Sequence, residues 1–150
     1  MKRFRFPLRP VAVIRAHKEL RAREAFAASV HAYMQAEELL AATRARVAAL
    51  AQALFDGRGG TFLAAEAAAT FRSYRAECDE ELKVERQVIE ARDAMQKRRA
   101  EYLDASRQLK VVHKLEEKAR SLHRAAALVE DQAAMDEFAG YRAARRVLLT

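Results

Sequence analysis

Two long stretches of this chain, residues 11–56 and 61–139, contain neither glycine nor proline, and every glycine and proline of the sequence lies at their edges. Glycine and proline are the strongest local interrupters of regular structure, so each stretch is free to form one continuous helix. The cluster Asp56-Gly57-Arg58-Gly59-Gly60 is the one credible turn between them. Pro7 and Pro10 stand where a helix begins, in a first turn whose N–H groups have no partner in the helix anyway. Thr61 is placed to cap the second helix.

The residues inside the stretches agree. Alanine supplies much of the nominal 51% hydrophobic fraction, charged residues make up 33%, aromatics only 7%, and tryptophan is absent. Such a composition cannot fill an ordinary globular core, but Ala, Leu, Arg, Glu and Gln all favour helix. In the first stretch Phe26, Tyr33, Leu40, Val47 and Leu54 recur every seven residues, with Ala22, Ser29, Ala36, Thr43 and Leu50 between them. In the second, Tyr74, Val88, Met95, Tyr102 and Leu109 keep the same step, broken only by Glu81. A seven-residue apolar repeat puts a narrow seam on one helix face, the pattern of a coiled coil.

The expected fold is therefore all-α: one coiled-coil domain over residues 1–150, with a helix at about 8–56, a turn at 57–60 and a longer helix at about 61–146. The two helices fold back on each other as an antiparallel pair. At ~1.5 Å per residue they run about 70 Å and about 120 Å. With the turn centred near Arg58, Val11 falls beside Ala105 and the remainder of the second helix has no partner within the chain. Yet Val112, Leu115, Ala119, Leu122, Ala126, Val129 and Ala133 continue an apolar stripe through that remainder. Either the second helix breaks near Thr70, or the overhang docks on something else. Docking is the preferred reading, since a lone helix in water has no use for such a stripe.

No constellation points to catalysis or metal binding. Gly57-Arg58-Gly59-Gly60 lacks the Gly-Lys-Ser/Thr ending of a phosphate loop and has no strand before it. His17, His31, His113 and His123 form no pair at ligand spacing. Glu77, Asp79, Glu80 and Glu81 form an acidic run, but a narrow coiled coil offers no water-excluding pocket for carboxylate chemistry. Cys78 lies within that run, where a thiolate is disfavoured, and as the only cysteine it can form no internal disulfide. No apolar stretch is long enough to span a membrane or to follow the basic start as a signal peptide, so a soluble cytoplasmic protein is expected. The formal charge of +7 favours anionic partners. Acidic residues alternate with basic ones along both helices, as on an ordinary solvated coiled-coil surface; the basic clusters at the two ends are the exception, and they read as protein-binding rather than nucleic-acid-binding.

Three segments carry a family resemblance. The opening Lys2-Arg3-Phe4-Arg5-Phe6-Pro7-Leu8 is similar to the basic-aromatic start of FliJ sequences. The stretch Leu109-Lys110-Val111-Val112-His113-Lys114-Leu115 looks like a second family segment. The closing Gln132-Ala133-Ala134-Met135-Asp136-Glu137-Phe138-Ala139, followed by Arg142, resembles the family's ending. The resemblance implies a flagellar type III export component without enzymatic activity or cofactor, similar to the central shaft of rotary ATPases. Related stalk proteins of virulence secretion systems share this fold and role, and a basic coiled-coil scaffold or nucleic-acid binder is the alternative outside secretion.

The implied partners are the hexameric export ATPase (FliI), the cytoplasmic domain of the export gate (FlhA) and export chaperones, at the cytoplasmic face of the inner membrane. Carried onto this chain, gate contacts fall on Phe71, Tyr74 and Cys78, the last replacing a larger aliphatic residue. ATPase contacts fall on Val129, Met135, Asp136, Glu137, Phe138, Arg142, Arg145 and Arg146. Gly140 departs from the family pattern and is a place for the last turn to fray or bend.

Overall fold

The computed structural model describes residues 3–59 and 63–147, with the side chains of Arg58, Ala143, Ala144, Arg146 and Val147 left out. It contains two helices, α1 (Arg9–Asp56) and α2 (Ala64–Val147), joined through a short 3-10 turn at Gly57–Gly59. The fold is the expected all-α antiparallel hairpin with the longer helix second. Thr61, expected to cap α2, lies outside the described residues. The cap that is described is the Leu63 carbonyl, which accepts the N–H groups of Glu66 and Ala67 at 2.9 and 3.1 Å. Glu66 in the first turn adds a charge that suits the helix N-terminus. At the other entry, the Phe6 and Leu8 carbonyls accept from Arg9 and Ala12, so Pro10 occupies a first-turn position as expected.

α2 runs unbroken through Thr70, whose hydroxyl donates to the Glu66 carbonyl at 3.0 Å, and equally through Gly140. The break near Thr70 does not occur, and α2 continues past Gly140. One glycine costs roughly 1 kcal/mol in a helix, too little to stop a helix this long.

The residues cluster into two compact units, Leu20–Asp104 and a second made of Met1–Glu19 with Ala105–Thr150. In the Leu20–Asp104 unit every seam residue named for α1 is half-buried or buried. The α2 side of the seam is Tyr74, Glu77, Glu81, Val84, Val88, Ala91, Met95 and Tyr102. Phe26 stacks on Tyr102 with ring centroids 6.0 Å apart. A two-helix pair has little interior: among the described residues only Thr43 (0% exposed), Val84 (1%) and Val112 (2%) are fully buried. Thr43 keeps its hydroxyl satisfied, donating to the Leu39 carbonyl at 2.9 Å and accepting from Arg46 at 3.1 Å.

Glu81 is no gap in the repeat. It occupies a seam position and accepts from the Arg44 guanidinium at 3.0 Å, while the same group reaches Glu85 at 2.7 Å. Arg46 pairs with Glu77 at 3.0 Å. These links hold Arg44 more firmly protonated, through Glu85 first and Glu81 second. They also fix the register, because a one-turn slip would strand three carboxylates against apolar neighbours.

The second unit corrects the sequence reading. The Arg15 guanidinium donates to the Gln108 carbonyl at 2.9 Å, which puts Val11 beside about Val112 and not Ala105. The pairing is set by where large side chains meet, Leu54 near Tyr74 at its turn end, and not by the midpoint of the glycine cluster. The first turns of α2 carry mostly alanine and offer little side chain to set the pairing. Residues of α2 up to His123 therefore have partners in the chain. Their seam also has a different phase: Val112, Glu116, Ala119 and His123 are buried or half-buried, while Leu115 and Leu122 are exposed.

Candidate functional site

Three surface regions come into question, and none has the geometry of a catalytic centre. The first is the turn end of the Leu20–Asp104 unit. Ala51, Leu54 and Phe55 of α1 face Ala67, Phe71 and Tyr74 of α2 across an open apolar groove of about 520 Å³. Phe71 is 56% exposed and Phe55 is exposed likewise, so two phenyl rings line a groove open at the surface. Tyr74 differs from Phe71: it is a seam residue, half-buried. The half-buried Cys78 thiol lies one turn on, and interaction with it raises the Tyr74 phenol above its ordinary pKa. Phe71, Tyr74 and Cys78 thus lie along a single helix flank, but only Phe71 is open to a partner. Sequence reading missed Phe55, which falls one residue off the seven-residue repeat at the end of α1.

The second region belongs to the unit made of the two chain ends. The non-helical segment before α1 lies along α2, where Phe4 meets His123 edge-on at 5.4 Å. The Arg120 guanidinium sits 5.7 Å from the centre of the Phe4 ring and pairs with Glu116 at 2.8 Å. Arg3, Arg5 and Arg9 complete the rim of a shallow basic groove there. The basic-aromatic start is thus a strap folded onto its own chain, an arrangement the repeat pattern of the helices gave no hint of.

The third region is the end of α2. From Leu128 to Arg142 every residue is exposed, including Leu128, Val129, Met135, Phe138 and Tyr141. Asp136 accepts a hydrogen bond from Gln132 at 3.0 Å, a link within the helix surface. Glu137, Arg142 and Arg145 are exposed on the same end, and the Arg146 side chain lies outside the described residues. An overhang does exist, then, but it begins after about Ala127 and not after Ala105.

Among the described residues no group of His, Cys, Asp and Glu could hold a metal ion, and no helix is long and apolar enough to cross a membrane. The acidic residues Glu77 and Glu81 are committed to arginines across the seam. The profile of the family described as "Flagellar FliJ protein" matches residues 4–148. The chain belongs to the FliJ family. It is accordingly a non-enzymatic, flagellar export-related protein. Searches of curated proteins and of solved structures returned no match. FliJ membership covers the strap, both helices and the exposed end of α2 alike.

Proposed function

We propose that this FliJ-family protein acts as a coupling element of the flagellar export apparatus, binding the export ATPase ring through the end of α2 and the cytoplasmic domain of the export gate through the turn-end groove. The observation that carries this reading is the bare end of α2. Fully burying a side chain such as Val, Leu, Phe or Met is worth roughly 1.5–3 kcal/mol, and here five large apolar side chains go unburied. Val129, Met135 and Phe138 supply apolar contact; Arg142, Arg145 and Arg146 supply charge for acidic side chains or helix C-termini of the ring. Asp136 and Glu137 would give the interface its polar edge. The action is allosteric: an asymmetric helix end inserted among identical subunits biases their nucleotide states unequally. At the gate, Phe71 is the anchor, with Tyr74 and Cys78 behind it. The protein works at the cytoplasmic face of the membrane apparatus, and unladen export chaperones are further partners.

The experiment is a truncation. A chain lacking residues 134–150 is expected to lose stimulation of the export ATPase, and Phe138→Ala to lose part of it. Phe138 is 66% exposed and supports nothing in the hairpin, so both variants should melt as the intact chain does. Full stimulation by the truncated chain would refute the docking role.

A further inference from the structure

The unit formed by the chain ends has two flanks, and the chain treats them differently. In an antiparallel pair, the residue just before each first seam position lies on the same side in both helices. On one side Arg120, with its seam neighbours Glu116 and His123, is partly covered by the strap through Phe4. On the opposite side the helical phase places Val11 and Ile14 of α1 with Val111, Leu115 and Leu122 of α2, and all five are exposed. Leu115 and Leu122 keep the seven-residue step of a coiled-coil seam, displaced from the seam that meets α1. The arrangement is a second seam with nothing on it.

Charge on this flank has one sign. Lys18, Lys114 and Lys118 border the apolar residues and make no ion pair among the described residues. No carboxylate occupies the flank positions of residues 11–18 or 108–125. We propose that this flank is the binding site for an amphipathic helix with acidic borders, which runs along α2 from Leu122 to Val111 and, where α1 lies beside α2 at Val11 and Ile14, packs against both helices as a third strand. The inference is independent of the roles proposed for the end of α2 and for the turn-end groove.

The occupant follows from the surface. A second copy of this chain would set lysines against lysines. An anionic membrane meets the charge, but a membrane-surface helix buries a broad apolar face, whereas this stripe is narrow and holds the spacing of a coiled-coil seam. A helix with apolar residues at seam spacing and glutamates beside them meets both the spacing and the charge.

The test uses the full-length protein and a synthetic peptide of about four heptads with Leu at both seam positions and Glu at both flanking positions, which self-repulsion keeps monomeric. Binding by calorimetry is expected, weakening with salt, and weakening at least about tenfold in a Leu115→Ser/Leu122→Ser variant. Because both side chains are exposed, that variant should keep its helix content. Amides of α1 should keep their hydrogen-exchange protection when the peptide binds. The proposal is overturned if the peptide fails to bind, if a Lys-flanked peptide binds equally, or if the double variant binds unchanged. It is also overturned if the peptide strips protection from α1, because the peptide would then have invaded the existing seam. Vesicles containing phosphatidylserine that bind the intact chain and not the double variant would reassign the flank to membrane. Self-association abolished by the same variant would reassign it to a second copy.

Discussion

Val84, Val112 and Thr43 show how little of this protein is interior and how much depends on it. In a two-helix pair each layer has few neighbours to absorb a change, so losing a buried side chain leaves a gap that only half collapses. Val84→Ala is expected to destabilise the hairpin by about 2 kcal/mol, toward the upper end for removal of two methyl groups. Leu122→Ala removes more atoms but from a side chain 62% exposed, and should cost little beyond noise. Urea denaturation of the two variants checks this, and equal losses would contradict the phase assigned to α2. At this scale the sequence spoke clearly where the repeat was apolar: Phe26, Tyr33, Leu40, Val47 and Leu54 all lie in the seam. It spoke poorly where polar residues take seam positions. Glu116 and His123 hold seam positions while the more hydrophobic Leu115 and Leu122 lie outside it, so hydrophobicity alone points to the wrong phase there. Carrying the step from Tyr102 and Leu109 forward would have given Glu116 and His123 directly.

The helices as elements were legible from the spacing of glycine and proline, and their pairing was not. Register depends on contacts between residues far apart in sequence, and a seven-residue repeat looks identical after a slip of one heptad. What breaks the degeneracy here is charge: Arg44 with Glu81 and Glu85, and Arg46 with Glu77. Exposed pairs of this kind contribute only ~0–1 kcal/mol each to stability, so their role is to exclude other registers. Glu81→Leu should therefore raise the melting temperature, since an apolar side chain fills the seam better than a half-buried carboxylate, while permitting misregistered or oligomeric species. Thermal circular dichroism reads the first effect and sedimentation the second. A lowered melting temperature would mean that the Arg44 link stabilises more than it selects. At the far end of α2 a different lever applies. A methyl group added at Gly140 meets nothing within 4 Å, so Gly140→Ala is expected to firm the terminal turns through helix propensity alone, by about 1 kcal/mol. Slower amide exchange over residues 136–144 would show it.

Taken whole, the chain spends its apolar residues unevenly: a seam that is satisfied, a strap laid over one flank, and surfaces that nothing in the chain covers. Family membership says the protein serves flagellar export, and the uncovered surfaces are where we propose that its partners attach. The turn-end groove gives the most direct separation of one role from another. Phe71 and Phe55 face each other across it and are both largely exposed, whereas Tyr74 belongs to the seam. Phe71→Ala should weaken binding to the cytoplasmic domain of the export gate by ~2 kcal/mol or more, as truncation of an aromatic anchor commonly does, with unchanged melting. Phe55→Ala should act in the same direction, a contribution from α1 that the family resemblance did not suggest. Tyr74→Ala is expected to lower both gate affinity and stability, because it removes a seam contact as well as the wall behind Phe71. ATPase stimulation, which we propose for the end of α2, should survive the Phe55 and Phe71 changes. If Phe71→Ala instead lowers the melting temperature as much as Tyr74→Ala does, the ring supports the hairpin and the groove is not the gate's site. If gate binding is intact in all three variants, the anchor lies elsewhere on the chain and the turn end only closes the fold.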